Sequence, residues 1–398
     1  MKLYVNLARA VVSALELIFD QNRYADKVIE KVLKQNPKWG ARDRRFIAET
    51  TYDIVRWYRF LQNITEAEDG DYWKLLGGWC LLNKIPLPAW SEFKELSEKR
   101  VLDRDIKMKS IRRFRESIPD WLDVLGEAEL GKRWEKELHA LNEEAYVVLR
   151  ANTLKISLED LRVLLREAEI ETHQIPDFPL ALVLDERQNV FRSNAFKEGL
   201  FEVQDASSQL VAPFLRVAPG MRVIDACAGA GGKTLHLAAL MENKGRIIAM
   251  DVEGAKLDEL QKRARRAGVS NLEVRVIESS KSIKRLENSA DRLLLDVPCS
   301  GLGVLKRNPD AKWKLSLEFV KNVKELQQHI LQDYCHMVKK DGLLVYSTCS
   351  ILPTENEGQI DTFLKQNGNE FELLDQKHCW PSEGFDGFYM ALLRRKST

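Results

Sequence analysis

The sequence lacks several features that would place it in other protein classes. Its six cysteines show no CxxC spacing, which argues against a zinc site or a disulfide framework and favours a reducing compartment. Arg9, Glu16 and Asp20 interrupt the apolar N-terminal stretch, so neither a signal peptide nor a membrane span is predicted. Net charge is only +1, so any basic surface for a nucleic acid must be local. We therefore expect a soluble, cytoplasmic protein without a bound metal.

The first third of the chain has few alternations of β-branched residues and shows helical periodicity instead. Apolar residues recur at helical spacing between Leu3 and Ile18, and similar patterns cover residues 24–33, 42–61 and 72–82. These patterns predict an all-helical domain over residues 1–140.

Residues 99–115 hold eight Lys or Arg against two Asp. One interpretation is a solvated helix face, which is the usual role of a charge run. The other is a surface that follows an RNA phosphate backbone, because Lys and Arg clusters supply the sequence-independent part of nucleic-acid affinity. The sequence leaves both open.

Residues 141–213 change in texture and predict a small α/β module. The stretch YVVLRAN, from Tyr146, is β-rich, and Ser157 is a plausible cap for a helix that runs to Ala168. Prolines then break the chain before LALVL, a second short strand. The segment GLFEVQDASSQL, from Gly199, joins this module to the last domain.

From Arg222 strands and helices alternate, which predicts a doubly wound parallel sheet over residues 214–398. Ligands of such sheets bind at the carboxyl ends of the strands. Two apolar runs, DRLLLDVPCS and DGLLVYSTCS, each end in a cysteine, Cys299 and Cys349. We therefore expect the two thiols at the same edge of one sheet.

The first strand of this domain, which begins at Arg222, leads into the glycine-rich turn DACAGAGGKT. This turn is a candidate nucleotide site. Its glycines allow close approach of a ligand to a helix N-terminus, but the GxxxxGKT spacing of a phosphate loop is not met. Asp251, at the end of the next strand, is placed to accept both ribose hydroxyls, although a helix N-cap is the alternative. NAD and S-adenosylmethionine fit this pattern equally well.

Free cysteines are usually inert core residues, and this is our interpretation of Cys80, Cys335 and Cys379. Cys299 and Cys349 differ because each directly follows a strand, in a loop of small residues beside the expected cofactor pocket. Such loops leave a thiol accessible, and nearby backbone N–H groups or cations can lower its pKa.

These motifs resemble those of the RNA cytosine-C5 methyltransferases of the Sun/Fmu type. DACAGAGGKT resembles their cofactor loop, DVPCSGLGVLKRNPDAKW their proline-cysteine motif and STCSILPTENE their nucleophile motif. EVQDASSQL and DGFYMALL also match, so the resemblance covers most of residues 115–398. PDWL and LRANTLKIS are similar to the bacterial 16S rRNA branch, which implies a NusB-like, RNA-binding helical N-terminal domain and a Rossmann-like methyltransferase domain.

The resemblance implies a role for each site residue. Cytosine C5 is a poor nucleophile, so a thiolate first adds to C6; by motif this thiolate is Cys349. Cys299 is assigned to product release, as acid or base. Asp296 matches the acid that contacts the cytosine ring, although a strand-end acid capping the next turn is the alternative. Lys233 matches a motif lysine near the methionine end of the cofactor or the base.

The implied cofactor is S-adenosylmethionine, and no metal is expected. Two departures from the family pattern concern its site: Gly229-Ala230 stand where the family usually has alanine-proline, and the third strand lacks the usual aspartate for adenine, leaving Glu278 as the nearest acid. The residues expected to bind the cofactor are Cys227, Ala228, Gly229, Ala230, Gly231, Gly232, Lys233, Asp251, Glu278 and Asp296.

A cytosine inside a duplex is inaccessible to this chemistry, so the implied substrate is single-stranded, looped or flipped-out RNA. We expect 16S rRNA and a monomeric enzyme. The alternatives are a tRNA substrate, a DNA substrate, which the second cysteine disfavours, and a non-catalytic RNA-binding assembly factor. Trp313 is a candidate for base stacking, and equally a candidate core residue.

Overall fold

The structure is a computed structural model that describes residues 2–397. The chain divides into two compact units: one comprises Met1–Glu143 with Leu305–Leu317, and the other comprises Glu144–Val304 with Glu318–Thr398. Among the described residues, no helix is both long enough and apolar enough to cross a bilayer.

The helices are α1 Val5–Phe19, α2 Ala25–Gln35, α3 Ala41–Arg56, α4 Tyr58–Thr65, α5 Tyr72–Leu82, α6 Glu98–Lys109, α7 Arg112–Arg115, α8 Asp120–Leu130, α9 Trp134–Leu141, α10 Leu158–Glu167, α11 Asn194–Lys197, α12 Ala206–Gln209, α13 Val211–Phe214, α14 Gly232–Leu240, α15 Gly254–Ala267, α16 Ser280–Lys284, α17 Ala311–Lys314, α18 Leu317–Tyr334 and α19 Glu357–Asn367. The strands are β1 Val148–Ala151, β2 Thr172–Gln174, β3 Ala181–Leu184, β4 Phe201–Val203, β5 Arg222–Asp225, β6 Arg246–Asp251, β7 Leu272–Val276, β8 Ala290–Asp296, β9 Val338–Thr348, β10 Phe371–Cys379 and β11 Phe388–Arg395. Short 3-10 turns include Leu302–Val304 and Pro353–Glu355.

The first unit is helical, as its periodicity predicted. Helix α1 buries Leu7, Val11 and Leu15 in one stripe that packs into the core of this unit. The helix predicted over residues 42–61 is two helices, α3 and α4, because the backbone leaves helical geometry at Trp57 (φ −102°, ψ 20°). No strand precedes β1 in the part of the chain that the structure describes.

The segment Leu305–Leu317 belongs to the helical unit although it follows the Cys299 motif in sequence. The Trp313 indole donates to the Val55 carbonyl at 2.7 Å, and its ring packs edge-on against Tyr58 at 5.5 Å. Arg56 donates to the Lys306 carbonyl at 2.8 Å. Of the two roles open for Trp313, packing in the core is therefore the one observed.

The basic stretch of residues 99–115 forms α6 and α7, and acidic side chains neutralise most of it. Its paired cations are Arg104 with Glu66, Lys109 with Asp105, Arg112 with Asp123 and Glu127, Arg113 with Asp120, and Arg115 with Glu116 and Glu135. Lys99, Arg100 and Lys107 are exposed, and no ion pair is recorded for them within residues 2–397. Any phosphate-binding surface here depends mainly on these three.

The second unit contains two sheets. The smaller has the order β2-β3-β1-β4, with every neighbouring pair antiparallel. Helix α10 follows β1 and is capped as predicted, because the Ser157 hydroxyl accepts from the Asp160 N–H at 3.1 Å. This sheet supplies the α/β character expected before the last domain.

The larger sheet has the order β10-β11-β9-β8-β5-β6-β7. Strands β5 to β9 pair in parallel, as the alternating pattern predicted, with buried apolar runs in β8 and β9. One strand that the sequence analysis did not predict, β11, runs antiparallel between β9 and β10, so the whole sheet is mixed. The short connection of residues 380–387 lets β11 fold back beside β10. The fold is nonetheless a Rossmann-like α/β core.

Replacing Trp313 by alanine should destabilise the helical unit, because it removes a ring contact with Tyr58 and a hydrogen bond to Val55. We expect a loss of about 2–4 kcal/mol in the free energy of opening α3, measured by native-state hydrogen exchange. The matched control is Leu317→Ala in the same segment, 55% exposed, which should change that free energy by about 0.5 kcal/mol or less. Equal effects of both substitutions would contradict a core role for Trp313.

Candidate active site

The carboxyl ends of the parallel strands bring the predicted site residues to one edge of the sheet. Asp251 ends β6, Asp296 ends β8, and Cys349 directly follows β9. Cys299 lies in the loop after β8, and its Sγ is 3.2 Å from that of Cys349. The two thiols are therefore in contact, in the place where the sequence pattern predicted them.

The two thiols have unequal surroundings. The hydrogen bond with Cys349, together with burial and the negative charge of Glu355, raises the pKa of the Cys299 thiol well above its usual value. The positive charge of Lys233 lies close enough to Cys349 for the two groups to interact electrostatically. Of the two thiols, Cys299 is therefore the one at which a negative charge is disfavoured.

Lys233 and Asp296 form an ion pair beside these thiols. The Lys233 Nζ donates to Asp296 Oδ2 at 2.6 Å, and the Ser347 hydroxyl donates to Asp296 Oδ1 at 2.9 Å. Burial alone lowers the pKa of Lys233, but the charge of Asp296 and the hydrogen bond to it outweigh burial and raise that pKa. Lys233 is therefore a cation at neutral pH, and its Nζ also lies 5.0 Å from the centre of the Phe388 ring.

The observed partners of Asp296 bear on its two possible roles. Both of its recorded partners are side chains that belong to the site, Lys233 and Ser347. The next N–H, that of Val297, donates instead to the Ser347 carbonyl at 3.0 Å. The alternative of a carboxylate that only caps the following turn thus finds no support.

The glycine-rich loop runs from Cys227 to Gly232 and leads into α14. Gly229 and Gly231 both have positive φ, of 52° and 88°. A Cβ on Gly231 would lie 2.5 Å from the Leu260 side chain, whereas one on Gly229 would meet nothing within 4 Å. The loop backbone is thus tightly packed at Gly231 and open at Gly229.

Asp251 is held by the backbone around it. Its Oδ2 accepts from the Gly229 N–H at 2.8 Å and its Oδ1 from the Glu253 N–H at 2.9 Å. The N-cap position of α15 is Glu253, which makes no side-chain capping hydrogen bond, so Asp251 is not the N-cap of this helix. A carboxylate has about four acceptor positions, so two remain for the hydroxyls of a ribose.

These residues fit a nucleoside-bearing cofactor. The open backbone at Gly229, the start of α14 and the partly exposed Asp251 lie around one edge, and Val252 beside them is 66% exposed. Glu278 lies two residues beyond β7 and is exposed, with no polar partner recorded within residues 2–397. The position of Glu278 therefore gives no evidence for or against its contact with such a cofactor.

Asp225, the last residue of β5, forms a hydrogen bond with Thr234 of α14. It is buried, and Oδ2 accepts from the Thr234 hydroxyl at 2.7 Å. Burial raises the pKa of Asp225 to about 7. Its Oδ1 has no hydrogen-bond partner among the described residues. Asp225 therefore stabilises the conformation of the glycine-rich loop.

The remaining cysteines have the environment of inert core residues. Cys80, Cys335 and Cys379 are buried, which raises the pKa of each thiol, to about 12, 12 and 11 respectively. Burial likewise raises the pKa of Cys227, in the glycine-rich loop, well above its usual value. None of these four thiols is prepared to be a nucleophile.

Two arginines that the sequence reasoning missed hold the carbonyl side of the glycine-rich loop. Arg263 of α15 donates to the Ala230 carbonyl at 2.7 Å, and Arg150 of β1 donates to the Gly232 carbonyl at 2.7 Å. Glu202 of β4 accepts from Arg263 at 2.9 Å. The signal was present: Arg150 and Glu202 interrupt short apolar strands, where a charge needs a partner.

A further missed residue is Glu355, in the turn after β9. It is fully buried and accepts hydrogen bonds from Ser300 and Ser350, the residues that follow the two cysteines. Its signal was an acid placed shortly after an apolar strand and its cysteine, in STCSILPTENE.

Comparison with known proteins identifies the family that this chain resembles. The family model 16S rRNA methyltransferase RsmB/F matches residues 212–394, and a ferredoxin-like domain of RsmF/B-like methyltransferases matches residues 118–191. The chain is 32% identical to the probable ribosomal RNA small subunit methyltransferase B of Synechocystis, over 94% of this chain and 92% of the relative. It is 27% identical to ribosomal RNA small subunit methyltransferase B of Klebsiella pneumoniae, over the whole of both chains.

Solved structures show the same fold. The crystal structure of PH0851 superposes with a TM-score of 0.85 at 26% identity, covering 99% of this chain and 100% of that one. A methyltransferase homologue from Pyrococcus horikoshii gives a TM-score of 0.64 at 29% identity, covering 73% of this chain and 99% of that one.

The two positive-φ glycines of the loop should respond differently to alanine. Gly231→Ala forces a Cβ into Leu260 in a left-handed backbone, so we expect the melting temperature of the ligand-free protein to fall by about 6 °C or more. Gly229→Ala meets open space, and we expect a fall of about 3 °C or less. Thermal denaturation followed by circular dichroism measures both. A larger loss at position 229 than at 231 would contradict this account of the loop.

Proposed function

The chain belongs to the RsmB/F family of 16S rRNA methyltransferases, and we propose that it methylates carbon 5 of a cytosine in RNA through a covalent adduct with Cys349. The observation that carries this proposal is the pair of thiols, 3.2 Å apart, beside the ion pair of Lys233 and Asp296. A nucleophilic attack needs only one thiol. Two thiols in contact support separate groups for attack and for release.

S-adenosylmethionine is the methyl donor of this family, and when bound it supplies an electrophilic methyl group on a sulfonium sulfur. Asp251 has free acceptor positions for the ribose hydroxyls, and the loop from Cys227 to Gly232 offers its backbone and the start of α14. We assign the adenine contact to Glu278 as the nearest acid after β7.

The attacking group is Cys349. Lys233 places a positive charge within electrostatic reach of this thiol, while the hydrogen bond to Cys349 and burial disfavour negative charge on Cys299. The thiolate forms a bond to C6, and the electron pair of the C5–C6 double bond moves so that C5 becomes nucleophilic. Attack from one face leaves C5 free to take a methyl group from the cofactor side.

Asp296 and Lys233 hold and polarise the base. Lys233 stays charged, so it donates hydrogen bonds and does not remove protons. Asp296, fixed by Lys233 and Ser347, is placed to hydrogen-bond the cytosine ring and to favour its protonated N3, which makes C6 more electrophilic. The Phe388 ring, 5.0 Å from the Lys233 Nζ, adds a cation–π contact to this ion pair.

Cys299 serves product release. After methyl transfer the C5 proton must leave, and its bonding electrons restore the C5–C6 double bond as the C6–sulfur bond breaks and returns the Cys349 thiolate. Contact between the two sulfur atoms puts Cys299 next to the bond that breaks. We assign it to this step as the acid or base that exchanges a proton.

The substrate is proposed to be a single-stranded or flipped-out cytosine in 16S rRNA, because a paired base cannot be reached from both faces. We propose that residues 1–140 and 141–213 contribute RNA binding and that residues 214–398 carry out catalysis. All proposed catalytic groups come from one chain, which is consistent with a monomer. Two free thiols in contact need a reducing compartment such as the cytoplasm.

The two cysteines should give opposite results when each is replaced by alanine. Cys349→Ala removes the nucleophile, so we expect methyl transfer to RNA to fall by about a thousandfold or more, without a covalent product. Cys299→Ala leaves attack intact and blocks release, so we expect an RNA adduct that survives denaturing electrophoresis. Transfer of labelled methyl groups and gel mobility measure the two effects.

Several outcomes would count against this mechanism. An adduct that accumulates in Cys349→Ala would reverse the two roles, and no adduct in either variant would remove the covalent step. Cys335→Ala, a buried thiol outside the site, is the control and should form no adduct. Bisulfite sequencing of rRNA and tRNA, from cells with and without the gene, identifies the modified base and the class of RNA.

Reversing the unpaired charges of α6 should weaken RNA binding if this face contacts phosphates. We expect Lys99→Glu, Arg100→Glu and Lys107→Glu together to lower affinity, and to reduce the slope of log affinity against log salt by about 2–3. Filter binding over a salt series measures both quantities. The control reverses Lys27, Lys31 and Lys34 on α2, which carries the same change in net charge. Equal losses in both triple variants would indicate a net-charge effect and no binding face.

A further inference from the structure

Glu355 is the most completely buried acid beside the thiol pair, and the mechanism above gives it no step. Its relative exposure is 0%, and it closes the short turn Pro353–Glu355 between β9 and α19. A buried carboxylate is costly unless hydrogen bonds compensate its lost hydration. The identity of its donors therefore indicates what the charge is kept for.

Four donors satisfy this one carboxylate. The Ser300 N–H donates to Oε2 at 2.8 Å and the Ser300 hydroxyl donates to Oε1 at 2.5 Å. The Ser350 hydroxyl donates to Oε1 at 2.6 Å, and the Gln327 amide donates to Oε2 at 2.9 Å. Four donors are the full capacity of an ionised carboxylate and exceed that of a protonated one.

The donors are placed on both sides of the thiol pair. Ser300 follows Cys299, and Ser350 follows Cys349, so one carboxylate connects the loop after β8 to the loop after β9. Gln327 of α18 also donates to the carbonyl of Pro298, at 2.9 Å, and thereby holds the residue before Cys299. Glu355 is the common partner of the two loops.

Hydrogen bonds also hold the backbone of Glu355 and the residue after it. The Tyr346 hydroxyl, inside β9, donates to the Glu355 carbonyl at 2.7 Å. The next residue, Asn356, accepts from Thr348 at 2.6 Å and donates to the Ser350 carbonyl at 3.1 Å. The carboxylate is therefore a rigid reference point for both sulfur atoms.

The charge of Glu355 acts on the two thiols unequally. Among the groups that act on Cys299, Cys349 and Glu355 disfavour its thiolate and the Gly301 N–H supports it. Negative charge on Cys299 in turn disfavours ionisation of Tyr346. Cys349, by contrast, has the cation Lys233 within electrostatic reach. The Lys233 charge is itself paired with Asp296.

We propose that Glu355 is a positioning residue that sets the spacing of Cys299 and Cys349 and disfavours negative charge on Cys299, so that attack falls to Cys349. The assignment of attack and release to the two thiols rests on the proposed function. The spacing rests on Glu355 and its four donors, and the charge asymmetry rests on Glu355 together with Lys233.

Alkylation by iodoacetamide tests the charge effect in the full-length protein, without RNA or cofactor. Only the thiolate reacts, so the rate at each cysteine, read by peptide mass spectrometry between pH 6 and pH 10, reports thiolate formation. Glu355→Gln removes the charge and keeps the size of the side chain. We expect its Cys299 to react about threefold faster or more at pH 8, with the profile shifted to lower pH by about half a unit.

Glu357→Gln is the matched control. This glutamate lies two residues away and pairs with His378 at 3.3 Å, outside the cysteine loops. We expect an unchanged Cys299 profile in this variant. An unchanged profile in Glu355→Gln, or an equal shift in both variants, would overturn the charge role. The buried thiols of Cys80 and Cys335 report any general loosening of the fold.

Glu355→Asp separates spacing from charge, and it also serves if the glutamine variant does not fold. It keeps the negative charge but withdraws it by one methylene, so it cannot reach all four donors. We expect an unchanged alkylation profile at Cys299 and a rate of diamide-induced disulfide formation between Cys299 and Cys349 that is lower by about threefold or more, because a disulfide needs specific geometry. A wild-type disulfide rate would overturn the spacing role.

These measurements separate the present inference from the proposed function. Neither readout involves methyl transfer, so a failure of the adduct experiment leaves the alkylation and disulfide results to stand by themselves. The reverse also holds: an adduct in Cys299→Ala together with unchanged profiles in the Glu355 variants would support the mechanism and remove Glu355 from it.

Discussion

The parallel register between β8 and β9 is the constraint on which the site depends. Asp296 pairs with Ser347 across these strands, so the loops that follow begin side by side and bring the sulfur atoms of Cys299 and Cys349 to 3.2 Å. Strands in a sheet lie about 4.8 Å apart, and a slip of one residue turns every side chain to the opposite face. Such a slip would separate Asp296 from Lys233 as well as the thiols from each other.

The two thiols have different charged neighbours. Lys233 and Asp296 form an ion pair near Cys349, and the Glu355 carboxylate accepts from the loop of Cys299 and disfavours negative charge on that thiol. Two chemically identical side chains thereby meet different charges, as paired carboxylates do in other active sites. Separation of this kind is what a reaction with one attacking and one releasing group requires.

The glycine-rich loop depends on residues far from it in sequence. Arg150 and Glu202 belong to the small antiparallel sheet, and with Arg263 they hold the carbonyls of Ala230 and Gly232. Loop glycines give flexibility at an entropic cost, and these charged contacts restrict it. A change in the small sheet therefore alters direct contacts of the glycine-rich loop. This gives a physical reason why EVQDASSQL and LRANTLKIS accompany the methyltransferase motifs.

The sequence by itself determined the helical first third, the strand and helix alternation after Arg222 and the placement of two cysteines at one sheet edge, because these follow from local periodicity and from parallel topology. It could not show that Leu305–Leu317 joins the helical unit, that β11 inserts antiparallel, or that α3 ends at Arg56. It also left the role of Trp313 open and gave no role to Glu355, Arg150 or Arg263. These outcomes depend on contacts between residues distant along the chain, and only the tertiary structure decides which buried charge meets which donor.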